Sequence, residues 1–88
     1  MEIIKIQNMT TDMDTYKTKD LAEAAALLVM KRALATIERK GNICFFVFEN
    51  KSRCEEISRQ FFFDTLLVNA REYHEAIARL KNRIFSTR

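Results

Sequence analysis

Residues 33–49, ALATIERKGNICFFVFE, decide the fold. Ala33–Lys40 and Ile43–Glu49 flank Gly41-Asn42, a two-residue signal for a β-hairpin closed by a type I′ or II′ turn. That turn pairs Lys40 with Ile43, Arg39 with Cys44, Glu38 with Phe45, Ile37 with Phe46, Thr36 with Val47 and Ala35 with Phe48. Side chains alternate across a strand, so Ala35, Ile37, Cys44, Phe46 and Phe48 form one face and the core side. The opposite face carries Thr36, Glu38, Ile43, Phe45 and Val47, too apolar for a solvated surface. An N-terminal strand, a helix or a second copy of the chain is expected to cover it.

A hairpin alone is marginal in water, and the flanking sequence supplies helices to pack on it. Upstream, Leu21, Ala24, Ala25 and Leu28 keep helical spacing. Alanines at 22 and 24–26 favour a helix over about residues 20–31, with a small face that admits close approach. Asp20 with Glu23 has capping-box spacing, and Thr18 is an alternative N-cap. Downstream, Ser52 and Glu55 match the capping box of a second helix from about Arg53 to Phe63, with Cys54, Ile57 and Phe61 inward. Phe61, Phe62 and Phe63 cannot all face inward, because neighbours on a helix lie about 100° apart. Asn69 and Glu72 cap a third helix, with Val68 and Tyr73 as its staple and Tyr73, Ile77, Leu80 and Ile84 as its apolar stripe.

Residues 1–19 are an N-terminal arm or edge strand, in which Ile3, Ile4 and Ile6 suggest a short strand. Residues 20–88 form one small domain. The fold class is therefore α+β: helix, two-stranded antiparallel β-hairpin, helix, helix, with the N-terminal strand as an option.

The chain has 88 residues, 48% hydrophobic and 31% charged, with one glycine and no proline, a globular composition that excludes collagenous and many-turned β architectures. Ala24–Met30 is the longest apolar run, far too short to cross a membrane, and with no basic-then-apolar pattern at the first residues no secretory leader is expected. Two cysteines make no disulfide scaffold, so a reducing cytoplasmic setting is expected. The net charge of +3 is unevenly spread. Residues 31–53 hold six basic and two acidic side chains, and residues 76–88 hold four basic and none acidic. Much of this alternation matches helix starts and ends, which acidic and basic residues respectively stabilise.

Catalytic equipment is sparse. His74 lies between the apolar stripe and the polar side of its helix, without a positioned partner for general-base work. Cys44, Cys54 and His74 lack the ligand number and knuckle spacing of a zinc site. Adjacent Glu55 and Glu56 diverge around the helix, which suits its N-terminal electrostatics rather than a shared substrate. One glycine cannot build a phosphate-binding loop. No enzyme activity, cofactor or metal is expected. Phe45, Phe46 and Phe48 bring to mind base-stacking sheets, but the strand lacks the glycines of that motif and packing explains the cluster better.

Three stretches recur in a known order: Tyr16-Lys17-Thr18-Lys19-Asp20-Leu21 entering the alanine helix, Cys44-Phe45-Phe46-Val47-Phe48, and Val68-Asn69-Ala70-Arg71-Glu72-Tyr73 with Leu80-Lys81 beyond. Over about residues 16–85 the chain resembles a family of small bacterial and prophage-type proteins known only as a domain of unknown function. The resemblance implies a shared fold and a phage or mobile-element setting, and it carries no catalytic residue.

Two functions are expected from these features. The first is a non-catalytic accessory protein acting by protein–protein binding, including inhibition of a host or defence protein, and working as a homo-oligomer joined through Ile43, Phe45, Val47, Phe62 and Phe63. The alternative is a nucleic-acid-binding module using Lys31, Arg32, Arg39, Lys40, Lys51 and Arg53.

Overall fold

The computed structural model describes residues 14–86. Ile3, Ile4 and Ile6 lie outside the described residues. The hairpin forms from β2 (Leu34–Lys40) and β3 (Ile43–Glu49). Gly41 takes φ 61° while Asn42 stays negative, which selects the type II′ turn. The register holds from Lys40–Ile43 to Thr36–Val47, then shifts at a bulge. Leu34, not Ala35, pairs with Phe48. The extra residue at Ala35 leaves the small side chain exposed and brings the larger Leu34 against the core.

The sheet has a third strand. β1 (Thr15–Thr18) pairs antiparallel with β3, giving the order β1-β3-β2. The two-stranded expectation is thereby corrected to a three-stranded antiparallel sheet. The added strand falls within residues 1–19, the stretch expected to be an N-terminal arm or edge strand, and is too short to show a period of its own. Tyr16 pairs with Phe48 and Thr18 with Phe46, so both point to the core side of the sheet.

Three helices complete the α+β fold among the described residues: α1 (Leu21–Val29), α2 (Lys51–Phe62) and α3 (Ala70–Ser86). α1 is central, packing mainly on α3 and also on α2 and β1. Ala24, Ala25 and Leu27 are fully buried there, against Phe46, Phe48, Cys54, Ile57, Ala76 and Leu80. Alanines on both α1 and α3 permit the close approach. Each of the large side chains Phe46, Phe48, Leu27 and Leu80 contributes about 1.5–3 kcal/mol by leaving water.

The helix ends show how a chain with one glycine makes its turns. Asp20 caps α1 by accepting from the Glu23 N–H at 3.0 Å. Asn69 caps α3 in the same way, accepting from the Glu72 N–H at 3.0 Å. α2 begins earlier than Ser52 predicts, because Asn50 adopts a left-handed conformation and accepts from the Arg53 N–H at 3.3 Å. Asparagine tolerates that region better than most residues.

α1 and α2 both end in Schellman motifs. Arg32 N–H donates to Leu27 O at 3.0 Å and Lys31 N–H to Leu28 O at 2.9 Å. Thr65 N–H donates to Gln60 O at 3.0 Å and Asp64 N–H to Phe61 O at 3.4 Å. The left-handed positions that glycine usually fills are held by Lys31 (φ 66°) and Asp64 (φ 62°).

Candidate functional site

A buried polar cluster joins three elements. Glu23, 3% exposed, does not reach back to the Asp20 N–H as a capping box would. Thr18 Oγ1 takes that N–H at 3.1 Å and donates to Glu23 Oε1 at 2.5 Å. Tyr16 and Ser58 donate to Oε2 at 2.6 and 2.5 Å. The acid is therefore held by hydroxyls from β1 and α2, and among the described residues no ion pair reaches it. Burial, followed by the Glu23 contact, pushes the Tyr16 phenol above its ordinary value. None of these four residues lines the clefts described below, and the cluster acts as a clamp.

The candidate catalytic groups are scattered. His74, Glu55 and Glu56 are exposed, and Arg53 pairs with Glu56. Both cysteines are free. Cys54 is buried with its thiol against Glu49 O at 3.4 Å, and burial raises its pKa despite the opposing pull of Arg32. Among the described residues no three His, Cys, Asp or Glu side chains gather to hold a metal ion.

The six basic residues named for nucleic acid divide between the two ends of the sheet. Lys31 and Arg32 precede β2, while Lys51 and Arg53 follow β3, so these four share one end with Asp14, Glu49, Glu55 and Glu56. Arg39 and Lys40 lie at the hairpin tip, about 20 Å away along β2. There Arg39 Nη2 donates to Ile84 O at 3.3 Å, which joins the tip to the basic C-terminal end of α3.

The apolar interface candidates also separate. On the sheet face away from the core, Lys17 and Glu38 form an ion pair of 3.1 Å across β3. Val47 beside it is only 5% exposed and offers little contact area, and Phe45 is half-buried. Ile43 near the tip is 44% exposed. The more exposed large apolar side chains lie elsewhere, among them Phe85 near the end of α3 at 62%. Phe62 is 57% exposed, Phe63 71% and Leu67 91%, at the end of α2 and in the loop to α3. Leu67 carries little signal in the sequence. Its signal is a leucine pair in a linker, with no periodic partner to bury it.

A cleft of about 330 Å³ opens at the hairpin tip, lined by Lys19, Leu21, Ile43, Cys44, Phe46 and Ile84. A smaller one of about 160 Å³ lies between the end of α1 and α3, where Lys31 and Arg79 meet Glu72 and Glu75.

The family described as Domain of unknown function (DUF5659) matches residues 13–86. The chain belongs to this family. The match spans all six elements of the fold and both surfaces just described. DUF5659 carries no assigned activity, so the family extends the fold and leaves function to the surfaces. Comparison with curated proteins and with solved structures gives no match. Among the described residues no helix is long and apolar enough to cross a membrane.

Proposed function

We propose that this DUF5659 protein is a non-catalytic binding module that acts by protein–protein contact, and that its first partner is a second copy of itself. The observation that carries the reading is the exposure of Phe62, Phe63 and Leu67 within one short stretch. These three side chains present on the order of 400 Å² of apolar surface, as much as the largest patch on an ordinary monomer. A two-fold interface uses the same patch on both subunits, so the aromatic stretch supplies about half of the roughly 800 Å² each partner contributes to a stable complex. An accessory role in a phage or mobile-element setting, including inhibition of a host protein, suits a small module whose chemistry is confined to its surface.

The nucleic-acid reading needs one basic face, whereas four of its six residues share their end of the sheet with four carboxylates. The protein-contact reading needs only the apolar patch.

Size-exclusion chromatography with light scattering tests the proposal. The parent protein is expected to run as a dimer at high micromolar concentration, and Phe62→Ser combined with Phe63→Ser and Leu67→Ser as a folded monomer. A parent that stays monomeric, or a triple variant that stays dimeric, overturns it.

A further inference from the structure

We propose that the cleft at the hairpin tip is a second, separate docking site, and that its occupant is an acidic peptide segment of another protein, anchored by a large apolar side chain. The floor and walls come from three elements: Leu21 opens α1, Ile43, Cys44 and Phe46 lie on β3, and Ile84 lies in the last turn of α3. At about 330 Å³ the cleft is at the small end of ligand sites, suited to one or two side chains rather than a whole cofactor.

Charge at this end identifies the partner. Lys19 lines the cleft, and Lys40 ends β2 opposite Ile43, which also lines it. Arg39 is fixed to Ile84 O, beside the end of α3 that carries Lys81 and Arg83. The acidic groups nearby are already engaged: Asp20 accepts from the Glu23 N–H, and Glu38 pairs with Lys17. One basic side chain, Lys19, thus lines the apolar hollow and a second, Arg39, is held at its Ile84 wall, with Lys40 at the turn and Lys81 and Arg83 in the last turns of α3. The complement is a carboxylate-bearing segment with an apolar anchor. Nucleic acid meets the charge but not the floor. Base stacking in the cleft needs an exposed aromatic face there, and Phe46, the aromatic lining it, is 1% exposed, while Phe85, 62% exposed beside Ile84, does not line it.

This site is independent of the proposed dimer, since Phe62, Phe63 and Leu67 do not line it. Fluorescence anisotropy of the full chain tests it with four labelled probes: an acidic peptide containing leucine and phenylalanine, its serine-substituted form, its lysine-substituted form, and a short oligothymidylate. The acidic apolar peptide is expected to bind saturably, more weakly as salt rises. Ile43→Asp, and separately Lys19→Glu with Lys40→Glu, are each expected to weaken it by about tenfold while circular dichroism stays unchanged. The serine and lysine peptides are expected to bind at least about tenfold more weakly than the first. The Phe63→Ser, Leu67→Ser variant is expected to bind like the parent, whichever oligomer the parent forms. No saturable binding of the first peptide, equal binding of the serine peptide or the oligothymidylate, or indifference to Ile43→Asp overturns the proposal.

Discussion

The Ser58 hydroxyl donates to the Glu23 carboxylate at 2.5 Å across 35 residues of chain, tying α2 to α1 beneath the sheet. Tyr16 and Thr18 complete the contact from β1. Such a cluster stabilises only when every member is satisfied, and among the described residues no buried side-chain nitrogen or oxygen lacks a partner.

Glu23→Ala is therefore expected to cost about 3 kcal/mol, because it leaves three hydroxyls without their acceptor and opens a cavity. Ser58→Ala, which removes one donor, is expected to cost about 1 kcal/mol. Urea denaturation of both single variants and the double variant checks this. Additive losses would show that Ser58 and Glu23 do not act as a pair.

Lys31→Gly and Asp64→Gly are each expected to stabilise the protein by about 0.5–1 kcal/mol. Both positions are left-handed ends of Schellman motifs, where a side chain costs about 1–2 kcal/mol and glycine nothing, less the extra freedom glycine has when unfolded. Thermal melts should rise by a few degrees. A fall at both sites would contradict this account of the helix ends.

Stability is expected to decline at alkaline pH. Burial raises Cys54 above its ordinary 9.0, and Tyr16 and Tyr73 above 10.0. The unfolded chain then releases these protons first, so their contribution is complete below about pH 8 and is lost as pH climbs through the raised values. Melting temperatures measured from pH 7 to 11 should be level and then fall, and Tyr16→Phe should flatten part of the fall. A melting temperature still level at pH 11 would remove burial of these groups as a term.

The two thiols are expected to react unequally. Cys44 is half-buried at the mouth of the tip cleft, whereas Cys54 is enclosed with its thiolate disfavoured. Titration with a thiol reagent in native buffer should modify Cys44 first and reach Cys54 only on unfolding. Equal rates would mean that α2 opens readily over β3.

Much of the local architecture is written in the order of residues. Gly41-Asn42 sets the hairpin and five of its six predicted pairs, because a two-residue turn leaves one register that keeps Phe46 and Phe48 on one side. Asn69 and the stripe from Tyr73 to Ile84 define α3 for the same reason: caps and periodicity act within a few residues. Long-range choices were not legible there. β1 became a strand because β3 offered it a free edge, since four residues carry too little pattern to declare themselves. The bulge at Ala35 followed from the better fit of Leu34 against Phe48. Glu23 left its capping role because three hydroxyls from other elements converged on it, and burial without them would have been too costly. The surfaces were decided last. Only the packed tertiary structure buried Val47, left Phe62, Phe63 and Leu67 exposed, and brought Arg39 to Ile84, because exposure and distant contacts belong to the whole fold and not to any stretch of chain.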